Sequence, residues 1–257
     1  MSLAGKIAIV TGASRGIGAS IAIELAKQGA YITLTHSSPS SGPEIEAVVA
    51  TISALNTGAR TNIVLADLTC PDSASKILTS TLSAFPAPDS KIDILINNAA
   101  VFHCAPLPAT TPSDILNLFA LNVHGTILLT RAVLPNLRAP GRIINLSSVA
   151  ARRGSLGGSI YAATKAAVEG FTRALAFEIG IKDGHTVNVV APGVTESRML
   201  REQVPVELTD FMKLSTPLQQ RVGRTEEVAK VVLFLVGRDA GWVTGQTVCV
   251  SGGLNMI

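Results

Sequence analysis

The chain has 257 residues, of which 47% are hydrophobic, 15% charged and only 4% aromatic, with 21 Lys and Arg against 18 Asp and Glu for a formal charge of +3. So apolar a chain with so little net charge is not a disordered one. So few basic and aromatic side chains also exclude the stacking, phosphate-tracking surface of a nucleic-acid binder.

Short apolar runs alternate with longer helical patterns almost from end to end, which is the signature of βαβ units and a parallel sheet. Strands are expected at Lys6 to Thr11, Tyr31 to Thr35, Asn62 to Ala66, Ile92 to Asn97, Arg142 to Leu146, Thr186 to Val190 and Thr247 to Val250. Most are unalternating and rich in Ile and Val, as strands covered on both faces are. Helices are expected at Ile17 to Gln28, Glu44 to Leu55, Ser73 to Ser83, Ser113 to Leu137, Ser159 to Ile179 and Glu226 to Leu235. Ser113 before Asp114, and Thr225 before Glu226 and Glu227, have the look of N-terminal caps with acid in the first turn. The fold expected is an α/β, doubly wound parallel sheet of about seven strands in one domain over residues 1–257, since α/β chains of this length are routinely single units. The main irregular stretch, Gly193 to Gln220, has the length of a functional loop and is expected to cover the substrate.

No membrane span is expected, because the charge-free run from Ile115 to Thr130 carries Asn117, Asn122, His124 and Gly125 and is short for a bilayer. The opening MSLAGKIAIVTGASRGIG lacks a signal peptide's apolar region and cleavage site, so a cytoplasmic protein is expected. Cys70, Cys104 and Cys249 are odd in number and far apart, without metal-ligand spacing, and are expected to be free thiols with no metal site.

Gly12-Ala-Ser-Arg-Gly-Ile-Gly18 follows the first strand and opens the first helix, where free backbone N–H groups meet a pyrophosphate. Ser14, Arg15, Gly16 and Ile17 belong to the same turn. Dinucleotide folds that take NAD usually carry an acid about 20 residues on, against the ribose 2′-hydroxyl. Here the second strand ends in Thr35-His36-Ser37-Ser38, with no carboxylate between Glu24 and Glu44. A 2′-phosphate would meet no repulsion there, and Arg15 with the hydroxyls of Ser37 and Ser38 would receive it, so NADP(H) is expected over NAD.

Tyr161-Ala-Ala-Thr-Lys165 places a phenol and an ammonium one helical turn apart. A nearby cation lowers a phenol from its ordinary value of about 10 and makes it a general acid or base. Ser148 closes the strand RIINLSS, at the carboxyl end where open α/β sheets bind ligands. Asn122 is a polar residue inside an apolar helical pattern and needs partners.

These motifs, in this order and on these elements, resemble the short-chain dehydrogenase/reductase family over the whole chain. The TGxxxGxG turn stands at Thr11 to Gly18, the adenine contact at Asp67-Leu68, the NNAG motif at Asn97-Asn98-Ala99-Ala100, and YxxxK at Tyr161 and Lys165, with Pro192-Gly193 after the sixth strand. The resemblance implies hydride exchange between a nicotinamide and a small carbonyl or carbinol substrate. In it Ser148 polarises the carbonyl and Tyr161 gives the proton. Lys165 lowers the tyrosine's pKa and holds the nicotinamide ribose, Asn122 orders a relay water, and Pro192, Gly193 and Thr195 border the nicotinamide. Asn98 belongs to the same cofactor wall. Ala100 in place of Gly, and Ser197 where Thr is common, depart from the pattern and put local geometry near the cofactor in question. The family also implies a homotetramer or dimer, with the helices of Ser113 to Leu137 and Ser159 to Ile179 at one interface. The best match is to ketone reductases of the 3-oxoacyl or polyhydroxynaphthalene type. An NAD(P)-dependent alcohol or hydroxysteroid dehydrogenase is the alternative. A sensor that only binds nucleotide fits less well, having no use for a proton relay.

Overall fold

The computed structural model describes residues 2–86, 89 and 91–256. Seven strands, β1 (Ile7–Val10), β2 (Tyr31–His36), β3 (Arg60–Leu65), β4 (Ile92–Asn97), β5 (Leu137–Leu146), β6 (Thr186–Pro192) and β7 (Thr247–Val250), form one sheet in the order β3-β2-β1-β4-β5-β6-β7. Every pairing is parallel. The inner strands β1, β4 and β6 are buried at every position, which is why they read as unbroken Ile/Val runs, whereas the edge strand β3 is largely open.

Helices α1 (Gly16–Lys27), α2 (Gly42–Ala54) and α9 (Thr225–Val236) cover one face. Ile21, Leu25, Ile45, Ile52, Val232 and Leu235 meet the sheet there. Helices α3 (Ser73–Ala84), α4 (Pro112–Phe119), α5 (Thr126–Val133) and α6 (Ser159–Asp183) cover the other, through side chains such as Ile77, Leu129, Val133, Leu175 and Ile179. Each such buried Ile or Leu stabilises the fold by about 1.5–3 kcal/mol. This is the doubly wound arrangement expected.

Four local expectations need correction. The helix expected from Ser113 to Leu137 is interrupted by a π-helical turn at Ala120–Gly125 and ends in a 3-10 turn at Leu134–Asn136, so that Leu137 already belongs to β5. Its cap is Thr111, not Ser113: the Thr111 hydroxyl accepts from Asp114 N at 3.2 Å and an Asp114 carboxylate oxygen accepts from Thr111 N at 2.9 Å. Pro112 suits the first helical position, which forces the cap one residue before it. Thr225 does not cap α9 either. Its hydroxyl accepts from Ser20 on α1 at 2.8 Å, and Glu227 closes the helix start by accepting from Arg224 N at 2.7 Å. Finally, the stretch expected to be irregular contains two short helices, α7 (Arg198–Gln203) and α8 (Val206–Leu214), because its apolar residues need a helical face to reach the cavity below.

The segment from Pro112 to Asn136 is long and apolar enough to cross a membrane by composition, but in the fold Leu118, Val123, Leu129 and Val133 are buried against the protein's own core.

Candidate cofactor cleft and active site

Between β1 and β4 the winding of the sheet reverses, and the crevice at the carboxyl ends of these strands is where such sheets bind nucleotides. The Gly12–Gly18 turn lies there. Gly12 has φ +62°, and a Cβ on it would stand 3.0 Å from the Ala99 Cα. A Cβ on Gly18 would stand 2.3 Å from the Gly12 carbonyl oxygen, so neither position tolerates a side chain. The turn is braced from β4. The Asn98 amide nitrogen donates to the carbonyls of Thr11 and Gly12 at 2.8 and 3.2 Å, while the Thr11 hydroxyl accepts from the backbone of Asn98 and Ala99, both at 2.9 Å. Asn98 therefore shapes the cleft from behind. Ser14 is buried within the turn, and α1 begins at Gly16 with no acid in its first turn and no side-chain cap, leaving its amide groups open to an anion. Ala100 has no positive φ, so the missing glycine costs no strain.

At the 2′ corner the expectation needs amending. Arg15 does not stand alone: its Nη1 donates to Glu44 Oε2 at 2.5 Å and to the Ser41 hydroxyl at 3.5 Å, and Glu44 also meets Arg198 of α7 at 3.4 Å. Helix α2 starts at Gly42, which carries Glu44 back against the start of α1. Ser37 is exposed, as a phosphate contact must be, while the Ser38 hydroxyl accepts from Ser40 N at 3.2 Å. Asp67 accepts from Thr69 N and Thr69 Oγ1 at 3.0 and 2.9 Å and so fixes the turn after β3, with Leu68 buried beside it.

Ser148 follows β5 in extended backbone and caps a 3-10 turn at Val149–Ala151, its hydroxyl accepting from Ala150 N at 3.2 Å. Helix α6 brings Tyr161 and Lys165 up one turn apart, both buried. Burial pushes the Tyr161 phenol up to about 12, and a hydrogen bond with Ser148 pulls it partway back. Burial pushes the Lys165 ammonium down to about 8. Its Nζ donates to the Leu146 carbonyl at 2.9 Å and lies 5.7 Å from the centre of the tyrosine ring. In the free chain the phenol's displacement comes from burial and from Ser148. The Phe102 ring meets Tyr161 edge-on at 4.9 Å and adds to that dryness.

Asn122 sits in the π-helical turn. Both hydrogens of its amide are taken, by the Val101 carbonyl at 3.0 Å and Thr164 Oγ1 at 3.1 Å, and its Oδ1 accepts from Val101 N at 2.9 Å. The side chain clamps the Phe102 segment to α6. Two residues escaped the sequence reading. Glu44 was visible only as the start of a helix. Glu169, one turn beyond Lys165, is buried and accepts from Ser147 Oγ at 3.2 Å and Arg152 Nε at 2.7 Å, while Ser147 also donates to the Lys165 carbonyl at 3.2 Å. An acid at that spacing among small and apolar helix residues was the available signal.

Ser148 and Tyr161 open into a cavity of about 400 Å³. Ile17, Pro192, Gly193 and Thr195 border it on the cofactor side, and Phe102, Leu156, Met199, Leu208, Phe211 and Met212 make it apolar on the other.

A family model described as enoyl-(acyl carrier protein) reductase matches residues 12–255. The chain belongs to the short-chain dehydrogenase/reductase family. Among its relatives, a 3-oxoacyl-[acyl-carrier-protein] reductase of Pseudomonas aeruginosa is 38% identical over the whole of both chains. A hydroxynaphthalene reductase of Aspergillus fumigatus is 36% identical over 96% of this chain and 91% of its own. A short-chain dehydrogenase of Burkholderia cenocepacia, solved in complex with NADP, superposes with a TM-score of 0.91 at 36% identity over both full chains. A blue fluorescent protein from a metagenomic library, solved with NADPH, does so at 0.91 and 34% over both full chains. This family member is an oxidoreductase of the same Rossmann build.

Proposed function

We propose that this short-chain oxidoreductase is an NADPH-dependent reductase of apolar ketones, of the 3-oxoacyl or aromatic polyketide type, with Tyr161 as general acid. The cofactor is NADP(H). The glycine turn, the open start of α1, Arg15 and Ser37 fit its phosphates, Asp67 and Leu68 its adenine, and Pro192, Gly193 and Thr195 its nicotinamide side. Bound there, NADPH supplies the hydride. One observation carries the reading: the Tyr161 phenol and Ser148 meet at a largely apolar cavity bordered by Pro192, Gly193 and Thr195, where a proton donor to a ketone oxygen would have to stand. Ser148 shares a hydrogen bond with that phenol and is placed to polarise the same oxygen. Lys165 holds Tyr161's helix to β5 through the Leu146 carbonyl and would hold the nicotinamide ribose of a bound cofactor. Residues 193–220 cover the substrate.

Turnover is measured as loss of NADPH absorbance with 3-oxo esters and bicyclic aromatic ketones. Tyr161→Phe is expected to lower kcat about 10²-fold or more while NADPH affinity, read by calorimetry, stays within about twofold. An unaffected kcat would remove Tyr161 from the chemistry.

The enzyme is proposed to act in the cytoplasm as a homotetramer. Cys70, Cys104 and Cys249 are all unpaired, with Cys70 exposed, which suits a reducing compartment.

A further inference from the structure

Arg152 and Arg153 are neighbours in sequence, and the fold sends them to opposite tasks. Arg152 lies on Glu169 at 2.7 Å and reaches Thr247 Oγ1 at 3.4 Å, so its charge is spent in the wall beneath the active site. Arg153 turns into the substrate cavity. Among the described residues lining that cavity it is the one with a charged side chain.

Two neutral contacts hold the Arg153 guanidinium in place. Its Nη1 donates to the Leu254 carbonyl at 2.8 Å, and its central carbon lies 5.8 Å from the centre of the Phe211 ring on α8. Both orient the group without cancelling its charge. A half-buried guanidinium fixed in a largely apolar wall is poised for a carboxylate, since its planar fork matches two oxygens. A lone guanidinium, part of whose donor set is spent on Leu254, suits a monoanion better than a phosphate dianion, which usually collects several cations. Next to the carbonyl-binding pair the available cation is Lys165, and it is buried on the Leu146 carbonyl. A carboxylate directly beside the ketone would therefore go unmatched.

We propose that the ketone reduced here carries a carboxylate that Arg153 receives, with an apolar segment between the acid and the reacting carbonyl. This rests on the reductase reading above, and the test separates the two. Oxo acids from 4-oxopentanoate to 8-oxononanoate are compared with their methyl esters as substrates of the NADPH-loaded enzyme. The best acid is expected to exceed its ester at least tenfold in kcat/KM. Arg153→Gln keeps a donor for Leu254 but loses the charge, and is expected to bring the acid-to-ester ratio to within about twofold of one. Arg153→Lys, which keeps the charge, is expected to preserve most of the ratio. In parallel, calorimetry with hexanoate and 1-hexanol on the NADP-bound enzyme reads anion receipt without turnover, and hexanoate is expected to bind more tightly than the alcohol in the wild type and in Arg153→Lys but not in Arg153→Gln. An ester as good as its acid, equal binding of hexanoate and hexanol, or a ratio that survives Arg153→Gln would overturn the proposal. Failure of every acid and ester to consume NADPH would instead strike the reductase reading, while the hexanoate preference would still decide the role of Arg153.

Discussion

Tyr161 and Lys165, one turn apart on α6, are displaced in opposite directions by the same cause. Burial drives each toward its neutral form, the phenol up to about 12 and the ammonium down to about 8. The consequences for stability differ in sign. From about 8 to the ordinary lysine value of 10.5, the unfolded chain holds a proton on Lys165 that the folded chain has lost, so stability rises with pH across that window. Below it both states are charged and the folded one carries the full penalty. Tyr161 acts the other way: its contribution is whole below 10 and is lost as pH rises toward 12. A buried ammonium costs several kcal/mol, more than the roughly 1–3 kcal/mol at stake in its bond to Leu146. Lys165→Met is therefore expected to raise the Tm of the cofactor-free protein at pH 7, with the gain over wild type shrinking between pH 8 and 10.5. Differential scanning calorimetry at pH 7 and pH 9.5 checks it, and a gain that grows with pH would contradict the assignment.

At the scale of elements, the turn before α1, the first turn of α2 and the first residue of α7 converge on Glu44, at the proposed 2′ corner of the cofactor site. Exposed ion pairs of this kind are worth about 0–1 kcal/mol, whereas charge-assisted bonds from an arginine to a phosphate are worth about 1.5–3. A 2′-phosphate should thus win Arg15 from Glu44, which then remains with Arg198. Arg15→Ala is expected to weaken NADP binding by about 10-fold or more and NAD much less, whereas Glu44→Gln should tighten NADP a few-fold by removing the competitor. Titration calorimetry with both nucleotides checks it, and equal losses for NADP and NAD in Arg15→Ala would move the phosphate elsewhere. What the sequence left unread here has a physical pattern. The strands were legible because burial on both faces leaves unbroken Ile/Val runs, and the Gly12 turn and Tyr161–Lys165 pair because their chemistry is local in the chain. Glu44 against Arg15 and Arg152 against Glu169 are partnerships made only when distant elements pack. The π-helical turn at Asn122 was hidden for a related reason, since an added residue in a helix leaves composition unchanged and shows itself only in which side chains meet.

At the scale of the molecule, two separate apolar surfaces remain uncovered in the single chain. Single exposed apolar residues are ordinary, but Phe177 and Ile181 are 78% and 90% exposed one turn apart on α6, next to α4, where Leu116 is 69% exposed. The second surface is the edge strand β7, preceded by the chain's one tryptophan, Trp242, which is 99% exposed. We predict that each patch pairs with its own copy; two such two-fold contacts close into a tetramer when their axes cross at right angles. Sedimentation equilibrium is expected to give four times the 26.6 kDa chain mass. Replacing Phe177 and Ile181 together by Lys should remove the α6 contact alone, halving the mass while the sheet's circular dichroism is retained. The tryptophan distinguishes the two contacts. Its emission should be that of a buried indole in the wild type and remain so in the Phe177/Ile181 variant, since the dimer that persists is the one closed through β7. A wild-type monomer, or a variant whose tryptophan becomes solvent-exposed as its mass falls, would show that the two surfaces do not act as separate interfaces.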